Sequence, residues 1–328
     1  MVRFGLLGAG RIGKIHGGNI ARSPGAQLVA LADADPAAAK SLAEQTGASV
    51  RTVAEIIAAS DIDAVLIGTP TDTHATLIEK CAATKKAVFC EKPVDLDAKR
   101  IVSCLKVVEA AGIPLMIGFN RRFDPNFAAL KARLDKGAVG QVEMVTIISR
   151  DPGPPPVSYI ERSGGLYRDM MIHDLDMARF LLGEEPTEVH AVGSVMVDKA
   201  IGAAGDVDTA MVMLKTASGK LCQISCSRRA TYGYDQRIEV HGSEGMLRAG
   251  NIHETTLEVA GKGGFTRDPV QNFFLERYAD AYRMELAAFI DAVTKGKKPS
   301  PSGEDGLMAQ RLADASTESH RTGQPVKF

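Results

Sequence analysis

The sequence predicts an α/β protein. A Rossmann domain with a doubly wound parallel sheet is followed by an α+β domain with a large, mostly antiparallel open sheet. A glycine-rich turn joins an apolar run to a helical pattern at the N-terminus, and short apolar runs then alternate with helical patterns. After about residue 120 the apolar runs become longer, alternating and rich in β-branched residues. We therefore expect two domains, residues 1–119 and residues 120–328.

A Gly-x-Gly-x-x-Gly motif follows the first apolar run, Val2–Leu7. Its first glycine allows a tight turn, its second lets the backbone approach a pyrophosphate, and its third lets the next helix pack closely on the strand. The start of that helix offers free N–H groups and a partial positive charge to phosphates. The residues expected to bind a dinucleotide here are Gly8, Gly10, Arg11, Ile12 and Gly13.

An acidic residue ends the second apolar run at the spacing that a dinucleotide fold requires, about 20 positions on. It is Asp33, directly after Ala26–Ala32. A carboxylate there accepts hydrogen bonds from the adenosine ribose and repels a 2′-phosphate, and Ala34 follows instead of an arginine. These features favour NAD over NADP. The alternatives are a flavin fold, or an aspartate that merely caps the helix after Pro36.

The first third of the chain alternates strand and helix, and such sheets bind ligands beyond the carboxyl ends of their strands. Five segments should share that edge: residues 8–13, Asp33, residues 69–74, residues 91–93 and Asn120. A lysine at this edge, Lys92, would point toward the nicotinamide. The simpler alternative is a solvated lysine before a proline.

The second domain should contain five long strands and four helices, the first of them an amphipathic helix from Asp124 to Lys136. We expect strands near residues 142–149, 189–197, 209–215, 221–227 and 237–241, and the other helices near 166–182, 273–294 and 304–321. Crossover helices are missing between the later strands, which favours a sheet with one open face. Tyr278 and Tyr282, on the penultimate helix, have a spacing typical of core or interface aromatics.

Asp169, His173 and Asp176 would share one face if residues 166–182 form one helix. An aspartate one turn from a histidine can set its tautomer and stabilise its imidazolium, as a general base near neutral pH requires. The alternatives are a solvated helix face or a metal site, but no second His or Cys lies nearby to complete a metal site. We expect no metal.

Composition excludes several classes of function. The chain has 328 residues, 45% of them hydrophobic and 24% charged, with a net charge of −1, which gives no reason to expect nucleic acid or an anionic membrane as a partner. Neither a secretion signal nor an apolar run of membrane-spanning length is evident. Five cysteines without a compact framework favour reduced thiols in the cytoplasm.

Six motifs give the chain a clear resemblance to the glucose–fructose oxidoreductase and inositol dehydrogenase family over essentially its full length. They are the glycine loop, Thr69-Pro70-Thr71, Glu91-Lys92-Pro93, residues 118–124, the Asp169 to His173 segment, and residues 231–237. The last of these, together with Asn120-Arg121-Arg122-Phe123-Asp124, looks more particular to inositol dehydrogenases. Met170 departs from relatives that carry a small hydroxyl residue there, and Asp151 stands where some carry asparagine.

The resemblance implies roles for individual residues. Lys92, Asp169 and His173 would act together in catalysis. The cofactor would also contact Thr69, Thr71, His74 and the Glu91-Lys92 pair. Ring hydroxyls of the substrate would contact Lys92, Asp169, His173, Arg122, Asp151, Asp176 and Tyr234.

The activity that the resemblance implies is oxidation of myo-inositol by NAD to scyllo-inosose, by a homotetramer formed through the exposed face of the second sheet. Three alternatives remain at this level. They are a dehydrogenase of another polyol or sugar, such as scyllo-inositol or an aldose, an NAD-dependent glycosidase, and a non-catalytic NAD sensor. The joint presence of the lysine, aspartate and histidine counts against the sensor.

Overall fold

The computed structural model describes residues 1–328 and divides into two compact units. The first unit contains Met1–Asn120 and Ala281–Gln310, and the second contains Arg121–Asp280 and Arg311–Phe328. The expected division at residue 119 assigned residues 281–310 to the second domain, whereas they pack with the first unit. Phe289 explains this packing, because its ring lies 5.9 Å from that of Phe4 and 5.7 Å from that of Phe89.

The first unit is built on a six-stranded sheet in the order β3-β2-β1-β4-β5-β6, in which every adjacent pair is parallel. Its strands are β1 (Val2–Leu7), β2 (Ala26–Ala32), β3 (Ser49–Val50), β4 (Ala64–Ile67), β5 (Ala87–Glu91) and β6 (Leu115–Gly118). Its helices are α1 (Arg11–Arg22), α2 (Pro36–Thr46), α3 (Val53–Ala58), α4 (His74–Ala83) and α5 (Ala98–Ala111), to which α12 (Ala279–Lys295) is added. The predicted parallel, doubly wound sheet is confirmed.

Local signals fix where these helices begin and end. Asp35 caps α2 by accepting the Ala37 N–H, and Thr52 forms a capping box at the start of α3. Gly47 and Gly112 end α2 and α5 with φ of 76° and 65°, a conformation that glycine adopts without a Cβ penalty. The strands β4 and β6 are apolar and buried along their whole length, as strands covered by helices on both faces of a sheet are.

The second unit is built on a seven-stranded mixed sheet in the order β12-β11-β7-β10-β9-β8-β15. Only β7 and β10 run parallel, and the other pairs are antiparallel. Its strands are β7 (Val142–Arg150), β8 (Pro186–Ser194), β9 (Thr209–Thr216), β10 (Leu221–Ser227), β11 (Asp235–Gly242), β12 (Gly245–Ala249) and β15 (Val326–Lys327). A separate hairpin is formed by β13 (Glu258–Gly261) and β14 (Gly264–Arg267).

Two of the three expected helices in the second half of the chain are interrupted. The helix expected over residues 166–182 is divided into α8 (Gly165–Asp169) and α9 (Ile172–Leu182), because the N–H groups of Met170 and Met171 both donate to the Leu166 carbonyl. The helix expected over 273–294 breaks at Tyr278, between α11 (Phe274–Arg277) and α12. The remaining helices are α6 (Pro125–Leu134), α7 (Val157–Ser163), α10 (Lys199–Ala203) and α13 (Gly303–Thr322).

One face of the seven-stranded sheet carries exposed apolar side chains at alternate positions. Burial alternates along β9 and β10, so that Cys222 and Cys226 lie inside while their neighbours point outward. The outward apolar residues are Met144, Val192, Met211, Met213 and Leu221, between 37% and 56% exposed. No helix of the chain has both the length and the apolar character needed to cross a bilayer.

Candidate active site

The glycine loop has the geometry of a pyrophosphate cradle. Gly8 has φ +102°, and a Cβ there would lie 2.4 Å from the Gly68 carbonyl oxygen. A Cβ on Gly13 would lie 2.0 Å from the Gly8 carbonyl oxygen, whereas one on Gly10 would meet nothing within 4 Å. Gly8 and Gly13 therefore permit close packing, and Gly10 leaves open space. Because α1 starts without a side-chain cap or an acidic residue in its first turn, its leading N–H groups can bind an anion.

Asp33 lies directly against this loop. Its Oδ2 accepts the Ala9 N–H at 2.5 Å, and its Oδ1 accepts the Asp35 N–H at 2.8 Å. The helix after Pro36 is capped by Asp35, so the alternative in which Asp33 is only a helix cap is wrong. Each carboxylate oxygen has a second acceptor position, which fits a ribose hydroxyl.

The loop after β4 is tied to the loop after β5 by His74. The Nε2 atom of this imidazole lies 2.7 Å from the Thr69 carbonyl oxygen, and Nδ1 lies 2.8 Å from the Pro93 carbonyl oxygen. The Thr69 hydroxyl also forms a hydrogen bond of 2.6 Å with the hydroxyl of Thr73. Thr73 is the last residue of a short 3₁₀ helix that begins at Thr71. The ring of His74 is 1% exposed. It therefore acts on this edge by holding its two loops together.

Glu91 and Lys92 occupy the carboxyl end of β5. The Glu91 carboxylate is turned into the interior, where its Oε1 lies 2.7 Å from Nε2 of His16. Lys92 is partly exposed. The Glu91 side chain is therefore buried in the protein interior, while Lys92, the next residue, stays partly exposed at the carboxyl edge of the sheet.

In the second unit, the parallel pair β7 and β10 brings a carboxylate and a guanidinium together. Asp151 follows β7 and Arg228 follows β10, next to the paired residues Arg150 and Ser227. Arg228 is 1% exposed, and its Nη2 lies 3.9 Å from Oδ2 of Asp169. The same atom lies 3.7 Å from Oδ2 of Asp206, and neither Nε nor Nη2 has a hydrogen-bond partner. The cluster is therefore held by charge rather than by hydrogen bonds to the guanidinium.

Burial raises the pKa of Asp151 to about 6, and the nearby positive charges of Arg228 and Arg121 oppose part of that rise. This carboxyl therefore changes its charge close to neutral pH. A group of this kind in a polar cluster is typical of functional sites.

Asp169 and His173 lie on either side of the break between α8 and α9. Asp169 is the last residue of α8, and His173 is the second residue of α9. Asp169 accepts a hydrogen bond of 2.9 Å from the Tyr159 hydroxyl. The expectation of one continuous helix through both residues is wrong, because Met170 and Met171 lie between α8 and α9.

Three residues that are predicted to contact the substrate already contact other residues of the second unit. They are Arg122, Asp176 and Tyr234. Arg122 donates from Nε to Asp176 at 2.7 Å and from Nη2 at 2.5 Å, a bidentate pair of buried groups. Arg179 lies 3.6 Å from the same carboxylate. The Tyr234 ring is 6% exposed and packs edge-on against Tyr278 at 5.8 Å.

Sequence reasoning missed four polar residues of this cluster: Arg121, Tyr159, Asp206 and Arg228. Arg121 is fully enclosed and pairs with Asp174. One sequence feature could have pointed to this cluster: a charged residue stands directly after a strand at both Asp151 and Arg228. Which strands are neighbours, however, cannot be read from the sequence.

Comparison with known proteins gives the family. Residues 2–119 match an oxidoreductase family's NAD-binding Rossmann fold, and residues 131–328 match its C-terminal alpha/beta domain. The chain belongs to the glucose–fructose oxidoreductase and inositol dehydrogenase family. NAD is accordingly its cofactor, in agreement with the open glycine loop and Asp33.

Several family members are similar over their full length. An inositol 2-dehydrogenase of Rhizobium meliloti (strain 1021) is 59% identical, over 97% of this chain and 96% of that protein. The structure of a myo-inositol dehydrogenase from Corynebacterium glutamicum has a TM-score of 0.96 at 44% identity, covering 100% of this chain and 99% of that one. That of a myo-inositol dehydrogenase from Lactobacillus casei, in complex with NAD(H) and myo-inositol, has a TM-score of 0.90 at 26% identity, covering 100% and 97%.

The raised pKa of Asp151 predicts a pH-dependent loss of stability. The folded protein keeps this proton up to about pH 6, whereas the unfolded chain releases it near pH 3.9, so stability falls as pH rises through that window. Asp151→Asn removes the effect. We expect the free energy of unfolding of the wild type, relative to this variant, to fall by about 2 kcal/mol between pH 4 and pH 7 in urea titrations.

The matched control is Glu254→Gln, which changes an exposed carboxyl of the same unit. Its stability relative to the wild type should show no comparable slope. A flat difference between the wild type and Asp151→Asn would contradict the placement of Asp151 in a buried site.

Proposed function

We propose that the protein oxidises the 2-hydroxyl of myo-inositol, transfers the hydride to NAD and releases scyllo-inosose and NADH. The observation that carries this proposal is the 59% identity to an inositol 2-dehydrogenase across nearly the whole of both chains. Two features of the structure support the proposal. The first unit has a glycine loop of the kind that binds NAD, and the second unit has a buried cluster of carboxylates and guanidinium groups. We assign NAD binding to residues 1–119, and substrate binding and oligomerisation to residues 120–328.

Three residues are proposed to act on one hydroxyl group. His173 removes the hydroxyl proton as general base, and Asp169 orients His173 and offsets the positive charge that develops on it. Lys92 donates a hydrogen bond to the same oxygen and stabilises its alkoxide character. When bound, NAD accepts the hydride at nicotinamide C4. Tyr159 supports the role of Asp169, because its hydroxyl fixes one carboxylate oxygen.

The cofactor is proposed to contact the carboxyl edge of the first sheet. The residues that would contact it, or hold the loops that do, are Gly8, Gly10, Arg11, Ile12, Gly13, Asp33, Thr69, Thr71, His74, Glu91 and Lys92. For Glu91 and His74, whose side chains are buried, we assign contact through the backbone and support of the loops.

The remaining hydroxyls of the ring are proposed to bind Arg122, Asp151, Asp176 and Tyr234. A polyol carries a donor and an acceptor on every carbon, and a site that pairs with them rejects analogues that lack them. The bidentate Arg122–Asp176 pair supports this role, because each group is already fixed in orientation by the other. Asp151 adds a carboxyl whose charge depends on pH.

A second candidate is the same reaction on another stereoisomer or polyol, such as scyllo-inositol. Met170 supports this second candidate. Its side chain is buried beside Asp169 at the helix break, where some relatives carry a small hydroxyl residue. A glycosidase acting through transient oxidation is less well supported, since the full-length relatives compared above are dehydrogenases.

We also propose that the protein is a cytoplasmic homotetramer that acts in inositol catabolism. Five exposed apolar residues lie on neighbouring strands of one sheet face: Met144, Val192, Met211, Met213 and Leu221. An apolar patch of this kind is typical of a protein interface. A second copy of the chain is the partner we propose for it. The five buried, unpaired cysteines are consistent with a reducing compartment.

The test of the proposed activity is NADH formation, followed at 340 nm, by the purified protein. NAD or NADP is supplied with myo-inositol, scyllo-inositol, chiro-inositol or glucose. We expect fast reduction of NAD with myo-inositol and slow or no reduction of NADP. Activity with another polyol only would replace the substrate and keep the reaction. NADP preference would contradict the interpretation of Asp33.

Replacing the proposed base separates catalysis from binding. His173→Asn should lower kcat by about 10²- to 10⁴-fold, while the Kd for NADH, measured by its fluorescence, stays within about twofold because His173 belongs to the substrate unit. The control is His253→Asn, whose ring Nδ1 lies 2.7 Å from the Asp268 carbonyl oxygen. Unchanged turnover of His173→Asn at neutral pH would remove the base assignment.

A further inference from the structure

Both chain neighbours of Lys92 are held by buried histidines. Glu91, before it, is bonded through its carboxylate to Nε2 of His16, and Pro93, after it, is bonded through its carbonyl oxygen to Nδ1 of His74. The two rings are 0% and 1% exposed. The backbone that carries Lys92 is therefore fixed from two helices, α1 and α4.

A third group completes the arrangement behind Glu91. The side chains of His16, Glu91 and Glu285 each bring one polar atom to within 4.8 Å of the others. Glu285 is 0% exposed, and neither of its carboxyl oxygens has a hydrogen-bond partner. Burial and the neighbouring charge of Glu91 raise the pKa of Glu285 well above its ordinary value. An uncharged Glu285 avoids placing a second negative charge beside Glu91.

The geometry favours a hydrogen-bonded pair of His16 and Glu91 over a metal ion. Two ligands of a tetrahedral zinc at about 2.0 Å lie about 3.3 Å apart, but Nε2 of His16 and Oε1 of Glu91 are 2.7 Å apart, a hydrogen-bond distance. The rings of Phe89 and Tyr282 pack edge-on against the imidazole at 5.2 and 5.7 Å. These contacts leave the Glu91 carboxylate as the hydrogen-bond partner of His16.

The neighbouring strand makes room for this bond. Gly118 pairs with Glu91 between β6 and β5, and a Cβ on Gly118 would lie 2.9 Å from Oε2 of Glu91. With glycine at this position, the carboxylate can turn inward to His16. A side chain there would displace the carboxylate from its position beside His16.

We propose that His16 is a positioning residue for Lys92, acting through its hydrogen bond to Glu91, with Glu285 packed beside both side chains. The inference rests on the proposed catalytic role of Lys92. Its physical basis is that catalytic groups tolerate little displacement: a misplacement of about 1 Å can cost about 10²-fold in rate. His16 touches neither substrate nor reacting atoms in this account, and it acts only by holding Glu91.

A matched pair of variants tests the hydrogen bond. His16→Phe keeps a ring against Phe89 and Tyr282 but removes the donor, whereas His16→Gln keeps an N–H that can reach Glu91. We expect His16→Phe to lower kcat at least 10-fold with the NADH Kd within about twofold, and His16→Gln to recover most of the loss. Equal losses in the two variants, or a loss in melting temperature alone, would overturn the proposal.

A packing control separates positioning from general loss of stability. Phe4→Leu removes a fully buried ring that contacts Phe289 in the same unit. It should lower the melting temperature without lowering kcat measured at 25 °C. If Phe4→Leu lowers kcat as much as His16→Phe does, the effect of His16 is one of stability and the proposal fails.

Failure of the positioning role is distinguishable from failure of the proposed function. The rate at which an amine-reactive acetylating reagent modifies Lys92, read by peptide mass spectrometry, reports its placement without any reaction on inositol. We expect at least a threefold change in His16→Phe and none in Phe4→Leu. If Lys92→Met keeps wild-type turnover, the catalytic role of Lys92 is wrong. A labelling rate unchanged by His16→Phe would overturn the positioning role.

The protonation of the Glu285 carboxyl can be tested separately. The groups that face its carboxyl are Glu91 of β5 and His16 of α1. Because the folded protein keeps the Glu285 proton and the unfolded chain releases it above about pH 4.3, wild-type stability should fall with rising pH relative to Glu285→Gln. The reverse slope would contradict an uncharged Glu285. One equivalent of bound metal in the purified protein, lost in Glu285→Gln, would replace the proposal with a metal site.

Discussion

Close packing of α1 on β1 is the constraint on which the first unit depends. Gly13 lies so near the Gly8 carbonyl that a Cβ would approach it to 2.0 Å, and Gly17 lies against Leu6, where a Cβ would be 3.1 Å from its side chain. The start of α1 is thereby held at the end of β1, with leading N–H groups that can bind phosphates. One turn later the same packing also places His16 against Glu91. A single helix thus carries both the proposed phosphate-binding N–H groups and the histidine that holds the residue before Lys92.

The second unit holds several buried arginine and aspartate side chains in a fixed arrangement. Arg122 is paired with Asp176 and Arg121 with Asp174, while Arg228 lies among Asp151, Asp169 and Asp206. Breaking one partner of such a pair leaves an uncompensated buried charge. Preformed, oriented polar groups are what a polyol requires, because its recognition depends on hydrogen bonds rather than on apolar contact.

Much of this was predictable from the sequence, for reasons that are local. The glycine turn between β1 and α1 and the acidic residue after β2 are each encoded in a short local stretch, and the structure has both where the sequence predicts them. The break at Met170 was not predicted, since residues 166–182 have a continuous helical pattern and the break arises from two N–H groups sharing one carbonyl. Arg228, His16 and Glu285 were missed because their partners are distant in sequence and meet only through strand order and helix packing.

In the proposed reaction, a carbon-bound hydrogen of myo-inositol passes directly to NAD. The most direct test uses myo-inositol with deuterium on the carbon that bears the 2-hydroxyl, followed by mass spectrometry of the reduced cofactor. The account predicts one deuterium in each NADH formed and scyllo-inosose that has lost it. NADH without deuterium, or deuterium retained in the sugar product, would contradict it.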